Sequence, residues 1–289
     1  MLRHRLLSGT LMTLLFSGLA LVDGWLDGTI TASPADDWRV RGSITAALMA
    51  AVILLGLREL GRLAAASGVR VFGAFCAVGA VAWATTWYWS QLAGVQPWCC
   101  AALVAVMLVP ALFLFQYARC GTTSVLANCG ASYFCIAYLG ALGSFVLAIR
   151  IDFGLWALLM FVFVIKSADI GAYIGGSAFG RHKFSPRVSP GKTWEGMAAA
   201  VIAAVIVAVA FAGVFAIMSL WSAAAFGVCF AFAGQMGDLA ESMIKRDARQ
   251  KDSGNNVPGF GGILDVIDSP LLAGPFAYLF FQVAGRQVQ

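Results

Sequence analysis

The chain has 289 residues, of which 61% are hydrophobic and only 11% charged, with a formal net charge of +5 and a mean hydropathy of +0.85. A soluble domain carries about 25% charged residues, so the composition excludes one and requires a polytopic membrane protein. The basic excess sits in short loops between apolar runs instead of along one soluble face, which argues against nucleic acid and for topology and anionic ligands at a membrane surface.

A bilayer core of about 30 Å takes roughly 20 apolar residues per helix. On that measure the sequence predicts an all-α integral membrane bundle of about nine spans, at 7–25, 42–57, 71–89, 98–116, 131–149, 153–170, 196–219, 221–238 and 264–284. The first begins like a signal peptide, but no small-x-small site follows its apolar run, so it reads as an uncleaved helix. Residues 1–120 form an N-terminal transmembrane part without a chemical motif. Its segment RELGRLAAASGVR, Arg58 to Arg70, is amphipathic and reads either as a topogenic loop or as a piece lying on the inner surface with its arginines on lipid phosphates. Seven cysteines lie in or beside apolar runs with no CxxC and no histidine at zinc spacing, so they read as packing residues.

Lys and Arg set the expected orientation, because cytoplasmic loops are enriched in them. With the N-terminus inside, the inner loops collect Arg3, Arg5, Arg58, Arg62, Arg70, Arg119, Arg181, Lys183, Arg187, Lys192, Lys245, Arg246, Arg249 and Lys251, against Arg39, Arg41, Arg150 and Arg286 outside. The motifs fall in residues 121–289, with cytoplasmic loops expected at 171–195 and 239–263.

In the first of these regions Lys166 and Asp169 lie three apart inside the sixth span, so on a helix they share a face and either pair or point into a polar cavity. Gly171, Gly175 and Gly176 permit a close backbone approach or an early helix end. The GKT at 191–193 is not a P-loop, because Pro186 stands where the first glycine belongs. Ser189, Lys192 and Thr193, just ahead of a helix starting near Trp194, make a donor-rich site suited to phosphate oxygens. His182 reads as a solvated loop residue.

The second region, Gly237 to Ser269, is the most polar stretch of the chain. Asp238 and Glu241 are three apart at the end of the eighth span, and Asp265 and Asp268 are three apart at the start of the ninth. Each pair occupies one helical face, and the loop between can fold them together. Four converging carboxylates repel unless a cation intervenes, and hard oxygen ligands select Mg2+ or another hard ion. That combination points to phosphate chemistry, with Lys and Arg holding the non-reacting oxygens. The competing reading is that these are surface charges paired across helix ends, and for Lys245 to Asp252 alone a solvated basic face is the simpler account. The Gly261 and Gly262 of PGFGG let backbone approach a ligand.

SMIKRDARQKDSGNNVPGFGGILDVID, Ser242 to Asp268, resembles the signature of the phosphatidate cytidylyltransferase (CDP-diglyceride synthase) family, S-x-x-K-R-x4-K-D followed by P-x-H-G-G-x-x-D-R-x-D. ADIGAYIGGSAFGRHKFSPRVSPGKTWEG, Ala168 to Gly196, is similar to that family's second motif, and the likeness covers roughly the last 125 residues. The resemblance implies transfer of CMP from CTP to phosphatidic acid, giving CDP-diacylglycerol and pyrophosphate for phospholipid synthesis. It implies Asp238 and Asp265 as chief Mg2+ ligands supported by Asp268, Glu241 and Asp169. It implies Lys192, Lys245, Arg246 and Lys251 on phosphates, with Ser189, Thr193, Asp252, Gly261 and Gly262 completing the substrate site. The implied setting is a bacterial inner membrane with the active site facing the cytoplasm, and a homodimer is compatible with it. The chain departs from the signature at Phe260 in place of His, Val266 in place of Arg and Val257 in place of a larger aliphatic residue. A CTP-dependent transferase on another lipid phosphate and a non-catalytic relative therefore stay open as alternatives.

Overall fold

A computed structural model describes residues 2–28, 30, 40–254 and 261–284. Apolar runs of membrane length leave the backbone only its own hydrogen bonds to satisfy, and helices result. In chain order these are α1 (Leu2–Leu26), α2 (Ser43–Ala66), α3 (Gly73–Ala84), α4 (Thr86–Ala93), α5 (Pro97–Cys120), α6 (Val125–Ile136), α7 (Leu142–Phe153), α8 (Leu155–Phe179), α9 (Trp194–Phe215), α10 (Leu220–Asp247) and α11 (Leu264–Ala284). A π turn over Ala137–Ala141 joins α6 to α7 without interrupting the span. The protein is an all-α polytopic membrane bundle.

Among the described residues seven helices are long and apolar enough to cross a membrane: α2, α5, the α6–α7 run, α8, α9, α10 and α11. The expected span at 7–25 falls on α1, whose apolar stretch is Leu11–Leu26, and that at 71–89 is divided at Thr85 into the short helices α3 and α4. Helices also run further than their apolar cores. The α8 helix continues past Gly171 to Phe179 and α10 continues to Asp247, so the polar loops are shorter than expected. Gly171 and Gly175 serve close approach: a β-carbon on Gly171 would fall 2.8 Å from the Ala199 carbonyl oxygen of α9. The segment after Arg58 is neither a separate loop nor a surface helix through its first turns, because α2 carries on to Ala66 with Glu59, Leu60 and Leu63 buried.

Caps mark several starts. Thr193 Oγ1 accepts the Gly196 N–H at the head of α9, Ser219 accepts the Ser222 N–H ahead of α10, and Pro97 opens α5, where its missing N–H costs nothing. The apolar core lies between α7, α8, α9, α10 and α11, with a second cluster joining α2, α3 and the π turn.

Charges gather at the two ends of this bundle. At one, Arg150 on α7 pairs with Asp23, at 3.0 Å, and with Asp27. Asp23 also takes the Ile44 N–H at 2.7 Å and the Thr45 hydroxyl at 2.8 Å, capping α2. At the other end the C-terminal turns of α8 and α10 meet the N-termini of α9 and α11.

Candidate active site

The second end is built by one close crossing. A β-carbon on Gly237 of α10 would fall 2.7 Å from Ser269 Cα and 2.8 Å from the Asp268 carbonyl oxygen. Only glycine admits that approach of two backbones, and it sets Asp238 and Glu241 of α10 against Asp268 of α11. One carboxylate oxygen from each of the three lies within 4.8 Å of the others. Glu241 and Asp268 are buried, at 1% and 3% exposure, and Asp238 is more open, at 38%. One oxygen of Glu241, Oε1, is buried and has no hydrogen-bond partner among the described residues.

Three amines surround this group. Lys192, from the loop between α8 and α9, reaches Asp238 Oδ2 at 2.8 Å and the Gln235 carbonyl oxygen at 3.1 Å. Lys245, one turn on from Glu241, donates to Glu241 Oε2 at 2.8 Å and to Asp265 Oδ1. Lys166 donates to Asp169 at 3.2 Å, the i, i+3 pair expected on α8, and both are about one-third exposed. The Lys166 ammonium also interacts electrostatically with Asp238 and Asp268. Five carboxylates, Asp169, Asp238, Glu241, Asp265 and Asp268, thus face three amines among the described residues, an imbalance that protons or a cation must offset.

Of the expected metal ligands, Asp238, Glu241 and Asp268 come together and Asp265 and Asp169 lie outside their group. Asp265 is in the first turn of α11. Its Oδ1 meets Lys245, and its Oδ2 accepts from the Gly262 N–H at 2.7 Å and from the Ser253 hydroxyl and N–H at 2.7 and 3.2 Å. Those partners engage both oxygens, whereas Asp268, one turn further along α11, faces α10. Asp169 is engaged with Lys166.

The expected phosphate contacts divide similarly. Arg246, Lys251 and Asp252 are exposed on the loop face, Arg246 with Nε 3.4 Å from the Val188 carbonyl oxygen. Ser189 sits in the turn that leads to Lys192, whose N–H bonds to the Ser189 carbonyl oxygen at 3.2 Å. Thr193 is mostly buried, and its hydroxyl oxygen is occupied in capping α9. Gly261 has φ +104°, a left-handed conformation, and packs beside Asp252 and Asp265. His182 is exposed and hydrogen-bonds Glu195 at 2.6 Å. Val266 is partly buried in α11, and Val257 and Phe260 lie outside the described residues.

Two residues of this end carried no signal in the sequence reading. Glu59 of α2 is fully buried and accepts hydrogen bonds from the Ile263 and Leu264 N–H groups at 3.0 and 2.9 Å. Tyr138 is presented by the π turn, a backbone feature frequent at functional sites. It is buried, its hydroxyl has no hydrogen-bond partner among the described residues, and it interacts electrostatically with Asp268 and Glu241. A glutamate on the apolar face of its helix, flanked by Leu57, Leu60 and Leu63, was the one available cue for Glu59.

Known proteins resemble the chain over part of its length. A stretch of 168 residues, 58% of the chain, is 39% identical to phosphatidate cytidylyltransferase 5, chloroplastic, of Arabidopsis thaliana and covers 40% of that protein. Another of 144 residues, 45% of the chain, is 40% identical to the phosphatidate cytidylyltransferase of Haemophilus influenzae and covers 47% of it. The phosphatidate cytidylyltransferase of Brucella suis is 39% identical over 128 residues, 44% of the chain and 47% of that relative. The chain therefore spans less than half the length of these curated relatives. The family profile reaches further, matching residues 39–284, and on that match, which takes in nearly every helix described above, the chain belongs to the cytidylyltransferase family.

Proposed function

We propose that the chain is a phosphatidate cytidylyltransferase, transferring CMP from CTP to phosphatidic acid to give CDP-diacylglycerol and pyrophosphate. The observation that carries this is the trio Asp238, Glu241 and Asp268, with the orphaned Glu241 Oε1 inside a cluster whose carboxylates outnumber its amines. Buried polar atoms are rarely left unsatisfied, and an all-oxygen donor set suits a hard divalent ion. The residues therefore fit Mg2+, held by Asp238, Glu241 and Asp268. Bound there, Mg2+ supplies charge neutralisation on the triphosphate and the leaving pyrophosphate.

In the reaction an anionic phosphate oxygen of phosphatidic acid attacks the α-phosphorus of CTP. A new P–O bond forms, the bond from that phosphorus to the α,β-bridging oxygen breaks, and pyrophosphate departs with the electron pair. The nucleophile is already ionised, so the chain needs no general base, which agrees with a site of carboxylates and amines. Lys192 is placed to exchange Asp238 for a phosphate oxygen, and Arg246 and Lys251 on the open loop face suit the distal phosphates. Asp265 keeps Lys245 in place between the two carboxylates it contacts.

A soluble nucleotide and a membrane lipid must meet at such a site. Lys166 and Asp169, partly exposed within a membrane-length helix, support access from the bilayer side. The concentration of Lys and Arg at this end supports a cytoplasmic orientation, and the bacterial relatives support placement in a bacterial inner membrane. The test is CDP-diacylglycerol formation by the detergent-purified chain from CTP, phosphatidic acid and Mg2+. A folded protein that makes no product would remove the assignment, and product only with a different lipid phosphate would redirect it.

A further inference from the structure

We propose that Glu59, on the motif-free helix α2, is a positioning residue for the carboxylate site: it clamps the entry of α11 and, through the Ser253 hydroxyl, sets Asp265 and the Lys245–Glu241 pair that Asp265 holds. The inference rests on the Mg2+ reading of Asp238, Glu241 and Asp268 above.

Burying a carboxylate costs several kcal/mol unless hydrogen bonds replace its water. Glu59 is fully buried within the apolar cluster that contains Leu57, Leu60, Leu63 and Leu264. Its backbone hydrogen bonds come from a segment more than 200 positions away in sequence, the Ile263 N–H to Oε1 at 3.0 Å and the Leu264 N–H to Oε2 at 2.9 Å. Both donors belong to the head of α11, where N–H groups lack intrahelical partners and the helix dipole favours negative charge. The neighbouring glycines are shaped to the carboxylate. A β-carbon on Gly254 would fall 2.8 Å from Glu59 Oε1, and one on Gly262 would overlap Ser253 Oγ and Glu59 Oε2.

Capping alone would end there, but the contacts continue. Ser253 Oγ lies 2.7 Å from Asp265 Oδ2 and 3.1 Å from Glu59 Oε2, so its single hydroxyl proton, nearer Asp265, is shared between the two carboxylates. Asp265 Oδ1 holds Lys245, and Lys245 holds Glu241 Oε2 at 2.8 Å, which fixes the carboxylate of a trio member whose Oε1 has no hydrogen-bond partner among the described residues. Partners one shell out from a metal ligand orient it, and their loss typically weakens metal affinity about 10–100-fold.

The test is a Mg2+ titration of the thermal unfolding midpoint of the full chain in detergent, for the wild type, Glu59→Gln, Ser253→Ala and the double variant. Glu59→Gln keeps the shape but turns one acceptor into a donor facing an N–H, and Ser253→Ala cuts the bridge while sparing the α11 cap. The Mg2+ concentration for half of the stabilisation should rise about tenfold in each single variant. The double variant should be no weaker than the worse single within about twofold, because residues in one chain of contacts do not add. A wild-type titration in either folded single variant, or losses that multiply in the double, would overturn the inference. Where Glu59→Gln fails to fold, Ser253→Ala against wild type decides. A wild type that does not respond to Mg2+ would overturn the metal reading together with the inference. A wild type that responds to Mg2+ yet makes no CDP-diacylglycerol would sink the proposed reaction alone.

Discussion

The two ends of the bundle hold the buried charges of this protein and use them differently. At one end Arg150 is fully buried between Asp23 and Asp27, themselves 2% and 4% exposed, and the acids staple α1 to α2 and α7. At the other, Lys166, Lys192 and Lys245 stand among a larger number of carboxylates, part of the group opens outward, and Glu241 Oε1 and the Tyr138 hydroxyl have no hydrogen-bond partner among the described residues. A closed ion pair in an apolar protein fastens helices together. An open cluster in which carboxylates outnumber amines is arranged to receive a cation.

The comparison breaks most readily at the carboxylates. Asp238→Asn and Asp268→Asn should each cut CDP-diacylglycerol formation about a thousandfold, the equivalent of ~4 kcal/mol of transition-state stabilisation. The metal-free unfolding midpoint of Asp268→Asn should hold or rise, because the change relieves repulsion among acids at a buried position, whereas Asp238→Asn also gives up the Lys192 ion pair. Initial rates and a thermal melt on the same preparations check both halves. Arg150→Met should do the opposite, leaving Asp23 and Asp27 uncompensated at a cost of about 3–5 kcal/mol in stability, while the protein that remains folded keeps wild-type Mg2+ dependence. A melt that scarcely moves would show that the closed end is not a staple.

Smaller effects sharpen the contrast. Lys192→Met removes a charge-assisted contact worth about 1.5–3 kcal/mol and should raise the KM for CTP at least about tenfold with a lesser change in kcat, as steady-state kinetics would reveal. Tyr138→Phe removes one hydroxyl, a contribution of about 1 kcal/mol, and should weaken the Mg2+ response about fivefold without lowering the melting point. An unchanged Mg2+ titration would mean that the π turn serves packing alone.

The sequence made the spans legible where length and apolarity suffice, as in α5 and α11, and the charge bias separated Arg150 from the basic residues of the other end. It was less informative where helices outrun their apolar cores. The glycine-rich Gly171 to Phe179 and the charged Leu239 to Asp247 look like loop by composition, yet both are helical. In the site, the i, i+3 spacing put Lys166 and Asp169 on one face with pairing as one of two readings, and the spacing of Asp238 and Glu241 predicted their common face. Asp265 and Asp268 share that spacing but part company, because Asp265 is drawn to Ser253, Gly262 and Lys245 at the helix entry. The place of Glu59 on an apolar helix face was a cue, but its partners lie far along the chain, and no local pattern encodes them.

The most direct measurement is the Mg2+-dependent rate of CDP-diacylglycerol formation from CTP and phosphatidic acid, with wild type and Glu241→Gln side by side in detergent. The account predicts product from the wild type only when Mg2+ is present, and at least about a hundredfold less from a folded Glu241→Gln, whose orphaned oxygen position no longer carries charge. Wild-type rates from Glu241→Gln, or no product from a folded wild type supplied with both substrates and Mg2+, would contradict it.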